Sequence, residues 1–120
     1  MKERTMVSDC IFCKIINKEI PGQIVFESEQ VLIFKDIHPA APLHLLVIPK
    51  KHVDNICDPE LLKDNLPEAI FKSIQHVVSD LGVQENGFRV VVNCGPDAGE
   101  AVPHLHFHMI AGRNFTWPPG

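Results

Sequence analysis

No stretch of this sequence approaches the roughly 18 consecutive apolar residues that a bilayer-spanning helix needs. Its first residues, Met1 to Asp9, are polar and charged, without the apolar segment of a secretory signal. These absences predict a soluble, cytoplasmic chain with no membrane partner. A basic stripe is missing as well. The densest basic cluster is Lys50-Lys51-His52, and the formal net charge is -4. General nucleic-acid binders carry lysines and arginines along one face to neutralise phosphates, so no nucleic-acid partner is expected. No cluster of carboxylates has the composition of a catalytic magnesium site, and no catalytic magnesium is expected. No repeat, low-complexity tract or long linker divides the 120 residues. The expected organisation is a flexible arm at 1–8 and a single domain at 9–120. Hydrophobic residues make up 45% of the chain, enough for a core, though a domain this small gains from self-association.

Cysteine is sparse, with four residues and no disulfide framework. Cys10 and Cys13 form a Cys-x-x-Cys pair, while Cys57 and Cys94 stand alone without a partner motif. In a reducing compartment the pair reads as half of a metal site or as a redox couple. The redox reading calls for a preceding strand in a thioredoxin-like pattern, and none precedes it.

Punctuation by proline and glycine divides the rest. A short helix is predicted over Cys10–Asn17, capped by Ser8 or Asp9 and stopped before Pro21-Gly22. Strands are predicted at 24–26 and at 31–34, the second ending at Asp36, with Glu29-Gln30 turning between them. Another is predicted at 44–48, closed by Pro49. Pro67 suits the first turn of a long helix that ends at Gly82, with Ile70, Phe71, Ile74, Val77, Val78 and Leu81 on one face. Final strands are predicted at 88–93 and 104–110, joined by a loop at 94–100. The fold class is α+β, a mainly antiparallel five-stranded sheet with one long helix and one short N-terminal helix.

The segment His104-Leu105-His106-Phe107-His108-Met109-Ile110 carries the chemistry. On a strand, alternate side chains share a face, which sets the three histidines together and points Leu105, Phe107 and Met109 to a core. Three rings at that spacing span about 14 Å, too far to hold one metal ion from a straight strand. The span fits a phosphate with its attacking and leaving groups. A His-x-His metal patch and a solvated polar face are the competing readings. Imidazole is a nucleophile near neutral pH and a donor to phosphate oxygens, so one strand can supply both.

This segment resembles the His-φ-His-φ-His-φ-φ signature of the histidine-triad (HIT) superfamily. The resemblance extends over residues 10–120, through Cys10-Ile-Phe-Cys-Lys-Ile-Ile, Phe34-Lys-Asp-Ile, Ala41-Pro-Leu-His-Leu-Leu-Val-Ile-Pro-Lys-Lys-His52, Val91-Val-Asn-Cys-Gly and Trp117-Pro-Pro-Gly. It points to the Hint branch, the nucleoside phosphoramidases. The resemblance implies that His106 becomes nucleotidylated, that His108 donates to the α-phosphate and that His44 orients the nucleophile. It implies that Asp36 and Ile37 contact ribose and base and that Asn93 lies near ribose and phosphate. In zinc-bearing relatives the ligands match Cys10, Cys13, His52 and His104, which implies structural zinc. The same resemblance implies a purine nucleotide or nucleoside phosphoramidate as substrate, and a C2 homodimer with the tail reaching the partner's site.

Three positions depart from the family pattern. Gly99-Glu100-Ala101 stands where relatives carry Gly-Gln-Ser, so Ala101 lacks a hydroxyl for the leaving group and Glu100 adds a charge near the phosphate. Pro103 precedes the triad where many relatives have an aromatic residue. The alternatives sharing these residues are a dinucleoside polyphosphate hydrolase and a zinc-stabilised nucleotide-binding module with weak catalysis.

Overall fold

The computed structural model describes residues 9–120, so the expected arm at 1–8 lies outside the described residues. Its elements in order are α1 (Ile11–Ile16), β1 (Ile24–Glu27), β2 (Val31–Lys35), β3 (Leu43–Pro49), α2 (Leu66–Leu81), β4 (Phe88–Val92) and β5 (Phe107–Ala111). Short 3-10 turns lie at Pro59–Leu62 and Pro96–Ala98. All strand pairings are antiparallel, and the sheet order is β1-β2-β3-β5-β4. The expected α+β class is thus the observed one.

The strands explain why their sequences read as they do. Val31, Ile33, Leu45, Val47, Phe107 and Met109 pack with Ile70, Ile74, Val77 and Val78 of α2 on one face. Leu32, Phe34, Leu46 and Ile48 pack with Phe12, Ile15 and the cysteine pair of α1 on the other. β2 and β3 are therefore covered on both sides, and a doubly covered strand is continuous in hydrophobicity rather than alternating. β4 is an edge strand with Phe88 and Val90 partly exposed.

Helix boundaries follow local chemistry. Cys10 itself caps α1, its Sγ accepting from the Cys13 N–H at 3.3 Å, in place of the expected Ser8 or Asp9. Helix α2 places Pro67 in its first turn and ends at Gly82 in the left-handed conformation (φ 65°), both as expected. Its buried stripe is narrower than predicted. Phe71 and Leu81 are 56% and 44% exposed, although the Phe71 ring still approaches Phe107 of β5 at 6.4 Å between centroids.

The largest correction concerns the histidine segment. β5 begins at Phe107, so His104 and His106 precede the strand and only His108 lies within it. The ladder to β4 stops at the Val92–Phe107 pair. Upstream, the Leu105 N–H turns away to donate to the Val53 carbonyl at 2.7 Å. Leu105, Phe107 and Met109 do reach the α2-side core as expected.

Beyond β5 the chain turns back at Gly112 (φ 101°), where an added Cβ would meet the Pro42 Cβ at 2.9 Å. Both the left-handed backbone and the close approach require glycine here. Gly112→Ala is expected to destabilise the fold by about 2 kcal/mol. Urea titration measures this, and an unchanged midpoint would contradict the steric argument.

Candidate functional site

The histidine segment serves two adjoining clusters on the α1 side of the sheet. The first gathers Cys10, Cys13, His52 and His104, all buried, with their ligand atoms within 4.8 Å of one another. His104 Nδ1 lies 3.2 Å from Cys10 Sγ and 3.6 Å from Cys13 Sγ, and His52 Nδ1 lies 3.4 Å from Cys13 Sγ. Tetrahedral zinc, with Zn–S near 2.3 Å and Zn–N near 2.0–2.1 Å, sets sulfur and nitrogen ligands about 3.5 Å apart. The spacing fits.

Outer partners fix both imidazoles in the ligating form. His104 Nε2–H donates to the Pro49 carbonyl at 2.9 Å, and His52 Nε2–H donates to the Asp54 carboxylate at 3.1 Å. Each Nδ1 lone pair is thereby left facing the thiols, as in metal sites whose ligands are oriented by outer hydrogen bonds. Burial holds the His104 imidazolium down to about 4, so its ring is neutral at pH 7. The four ligands expected from sequence are thus brought together in a closed Cys2His2 set.

The second cluster contains Asp36, His44 and His108, with His106 beside it. Register explains the meeting: Leu46 of β3 pairs with His108 of β5, and His44 pairs with Ile110. The Ala40 N–H donates to His44 Nδ1 at 2.9 Å, so the His44 proton sits on Nε2. That Nε2–H faces His108 Nδ1 at 2.9 Å and Asp36 Oδ2 at 3.4 Å. His108 therefore accepts at Nδ1 and carries its own proton on Nε2. Burial, then the neighbouring His106 and His44, lower the His108 pKa below 6.5, which keeps this neutral form at pH 7.

His106 is oriented in the opposite sense. Its Nδ1–H donates to the His104 carbonyl at 2.8 Å, leaving the Nε2 lone pair unprotonated. Phe12 packs edge-on against both rings, 5.7 Å from His104 and 5.1 Å from His106 between centroids. The His106 and His108 rings are 5.1 Å apart. A lone pair and an N–H donor on neighbouring rings can serve one phosphate, the first attacking phosphorus and the second holding an oxygen.

A model of the HIT domain matches residues 17–115. The chain belongs to the HIT family. It is 41% identical over 115 residues to an uncharacterized HIT-like protein of Synechococcus elongatus, covering 96% of this chain and all of that one. It is 42% identical to a 14 kDa zinc-binding protein of Zea mays, covering 94% of this chain and 89% of the relative. Among solved structures, a HIT family hydrolase from Legionella pneumophila superposes with a TM-score of 0.88 at 43% identity, covering 93% of this chain and all of that one.

The remaining expected positions of this HIT domain surround the triad unevenly. Asp36 is half-buried and accepts from the His38 N–H at 2.8 Å, while Ile37 is 84% exposed. Asn93 follows Val92, whose pairing with Phe107 sets Asn93 at the same end of the β4–β5 pair as His106. Ala101 is exposed. Glu100 Oε1 accepts from the Gly95 N–H at 2.7 Å, so its carboxylate closes its own loop. Cys57 and Cys94 are both exposed and meet through their side chains, a proximity that no sequence motif signals. Among the described residues no helix is long and apolar enough to cross a membrane.

Proposed function

We propose that this HIT protein hydrolyses purine nucleoside 5′-phosphoramidates, of the adenosine phosphoramidate or adenylyl-lysine type, through a nucleotidyl-histidine. The observation that carries the reading is the His106 tautomer, whose Nδ1–H is engaged by the His104 carbonyl and whose Nε2 lone pair is free. That lone pair attacks the α-phosphorus, forming a new P–N bond as the bond to the leaving amine breaks and the amine takes up a proton from solvent. Water then attacks the same phosphorus and gives its proton to solvent as the P–Nε2 bond breaks, returning the electron pair to Nε2 and releasing the nucleoside monophosphate. His108 Nε2–H donates to a phosphoryl oxygen as negative charge develops, and His44 holds His108 in that form.

Asp36 and Ile37 serve ribose and base in this reading, Asn93 serves ribose and phosphate, and Glu100 and Ala101 border the phosphate and leaving group. Cys10, Cys13, His52 and His104 hold zinc as a structural ion. Their closed set, and the zinc-binding name of the Zea mays relative, support it. We further assign residues 9–120 to one domain with a Trp117–Gly120 tail, and place the protein in the cytoplasm. A C2 homodimer would continue the sheet at β4, whose outer edge carries Phe88 and Val90 partly exposed.

A substrate panel tests the reading. Adenosine phosphoramidate is expected to turn over with kcat/KM at least about 10-fold above diadenosine polyphosphates, a difference of about 1.4 kcal/mol in the barrier. Preference for the polyphosphates would instead assign a dinucleoside polyphosphate hydrolase. Nucleotide binding without turnover or adduct would assign the binding module that the missing Ala101 hydroxyl favours.

A further inference from the structure

We propose that Arg113 is a positioning residue for the His44–His108 pair, acting through the backbone of Ala40. The inference rests on the function proposed above.

Arg113 grips the Ala40 carbonyl at two points, Nε at 3.2 Å and Nη2 at 3.0 Å, and donates from Nη1 to the Asn114 carbonyl at 3.1 Å. Its guanidinium lies over the Phe115 ring at 4.5 Å, which holds the fork flat beside the loop. Loop 38–42 lies outside the sheet ladder. The Ala40 carbonyl is held by Arg113, and its N–H is spent on His44 Nδ1. Gly112 adds a second hold where it closes onto Pro42. The strand that carries His108 thus returns, within five residues, to clamp the loop that sets the tautomer of His44.

That tautomer propagates. With Ala40 N–H on His44 Nδ1, the His44 proton must sit on Nε2, His108 must accept at Nδ1, and the His108 proton must sit on Nε2. If Ala40 turns away, His44 can also place its proton on Nδ1 and accept at Nε2, opposed only by the longer 3.4 Å approach of Asp36 Oδ2 to Nε2. His108 then donates from Nδ1, and its Nε2 loses the proton that a phosphoryl oxygen requires. A two-point Arg fork fixes a carbonyl direction in a way that a lysine ammonium does not. The loss therefore falls on the step that develops phosphoryl charge more than on ground-state binding.

The test compares Arg113→Met and Arg113→Lys with wild type. Long-range proton–nitrogen correlation reads the ring tautomers of His44 and His108, and steady-state kinetics on adenosine phosphoramidate reads kcat and KM. Wild type is expected to show His44 protonated at Nε2 alone. Arg113→Met is expected to populate both His44 tautomers and to lower kcat about 10-fold, with KM changed by less than about twofold. Arg113→Lys is expected to recover part of both. A His44 tautomer unaltered in Arg113→Met overturns the proposal, as does an altered tautomer with unchanged kcat. If wild type turns over no phosphoramidate, the functional reading fails while the tautomer comparison still decides the role of Arg113. Should Arg113→Met not fold, Arg113→Lys carries the same two readouts.

Discussion

His106→Asn is expected to lower turnover of adenosine phosphoramidate by on the order of 10⁵-fold or more, the scale seen when a covalent nucleophile is removed. Asparagine is close to imidazole in size, and its side chain can keep a bond to the His104 carbonyl. Its amide nitrogen has no lone pair available for phosphorus. The edge-on contact with Phe12 is lost along with the ring, yet His108 and His44 keep their partners. The variant should therefore bind AMP within a few-fold of wild type. Intact mass after mixing with substrate should show a nucleotidyl adduct on wild type and none on His106→Asn. An active variant, or an adduct mapped to another residue, would remove His106 from its proposed role.

Zinc removal is expected to have the second-largest effect, and on two observables at once. A ligand bound to the folded state at 1,000 times its Kd stabilises by about 4 kcal/mol. For a domain of this size that corresponds to about 15 °C in Tm. The cause is visible in the connectivity. The thiols come from the N-cap and first turn of α1, His52 from just beyond β3, and His104 from just before β5, so one ion would tie three segments together. The second observable is activity. The His104 ring is directed to the thiols while its own carbonyl accepts the His106 Nδ1–H, so loosening the ring loosens the group that orients the nucleophile. Chelation should lower kcat along with Tm, and zinc should restore both. Protein isolated without zinc, with a Tm indifferent to chelator, would defeat the assignment.

Much of this was legible in the sequence because the signals were local. Gly82, Pro67 and the Cys-x-x-Cys spacing each act within one turn of chain, and the structure puts them where the pattern predicts. The apolar runs at 31–34 and 44–48 read correctly as strands. What escaped was set by partners distant in sequence. His104 and His106 have the period of a strand, but the Leu105 N–H finds the Val53 carbonyl and leaves the ladder. Phe71 and Leu81 satisfy helical spacing, yet the packing of α2 leaves them substantially exposed. Glu100 reads as a charge aimed at phosphate, whereas its carboxylate is engaged by the Gly95 N–H. Arg113 and Cys57 gave no signal, since one works through a backbone carbonyl 73 residues away and the other meets Cys94 across two loops.

The placement of His108 on β5 between β3 and β4 also fixes an order of events. The β1–β2 and β2–β3 pairs close across short connections, whereas β3 meets β5 only after α2 and β4 have been bypassed in the chain. The His44–His108 bond spans 64 positions in sequence. Pairings of such long range carry a large loop-closure cost and come slowly. The chemistry of this protein is thus assembled by long-range contacts, the Cys10–His104 approach spanning 94 positions and the His44–His108 bond 64. A chain can possess its helices and first hairpin and still lack the coupled imidazole pair, which exists only once β3 and β5 have met.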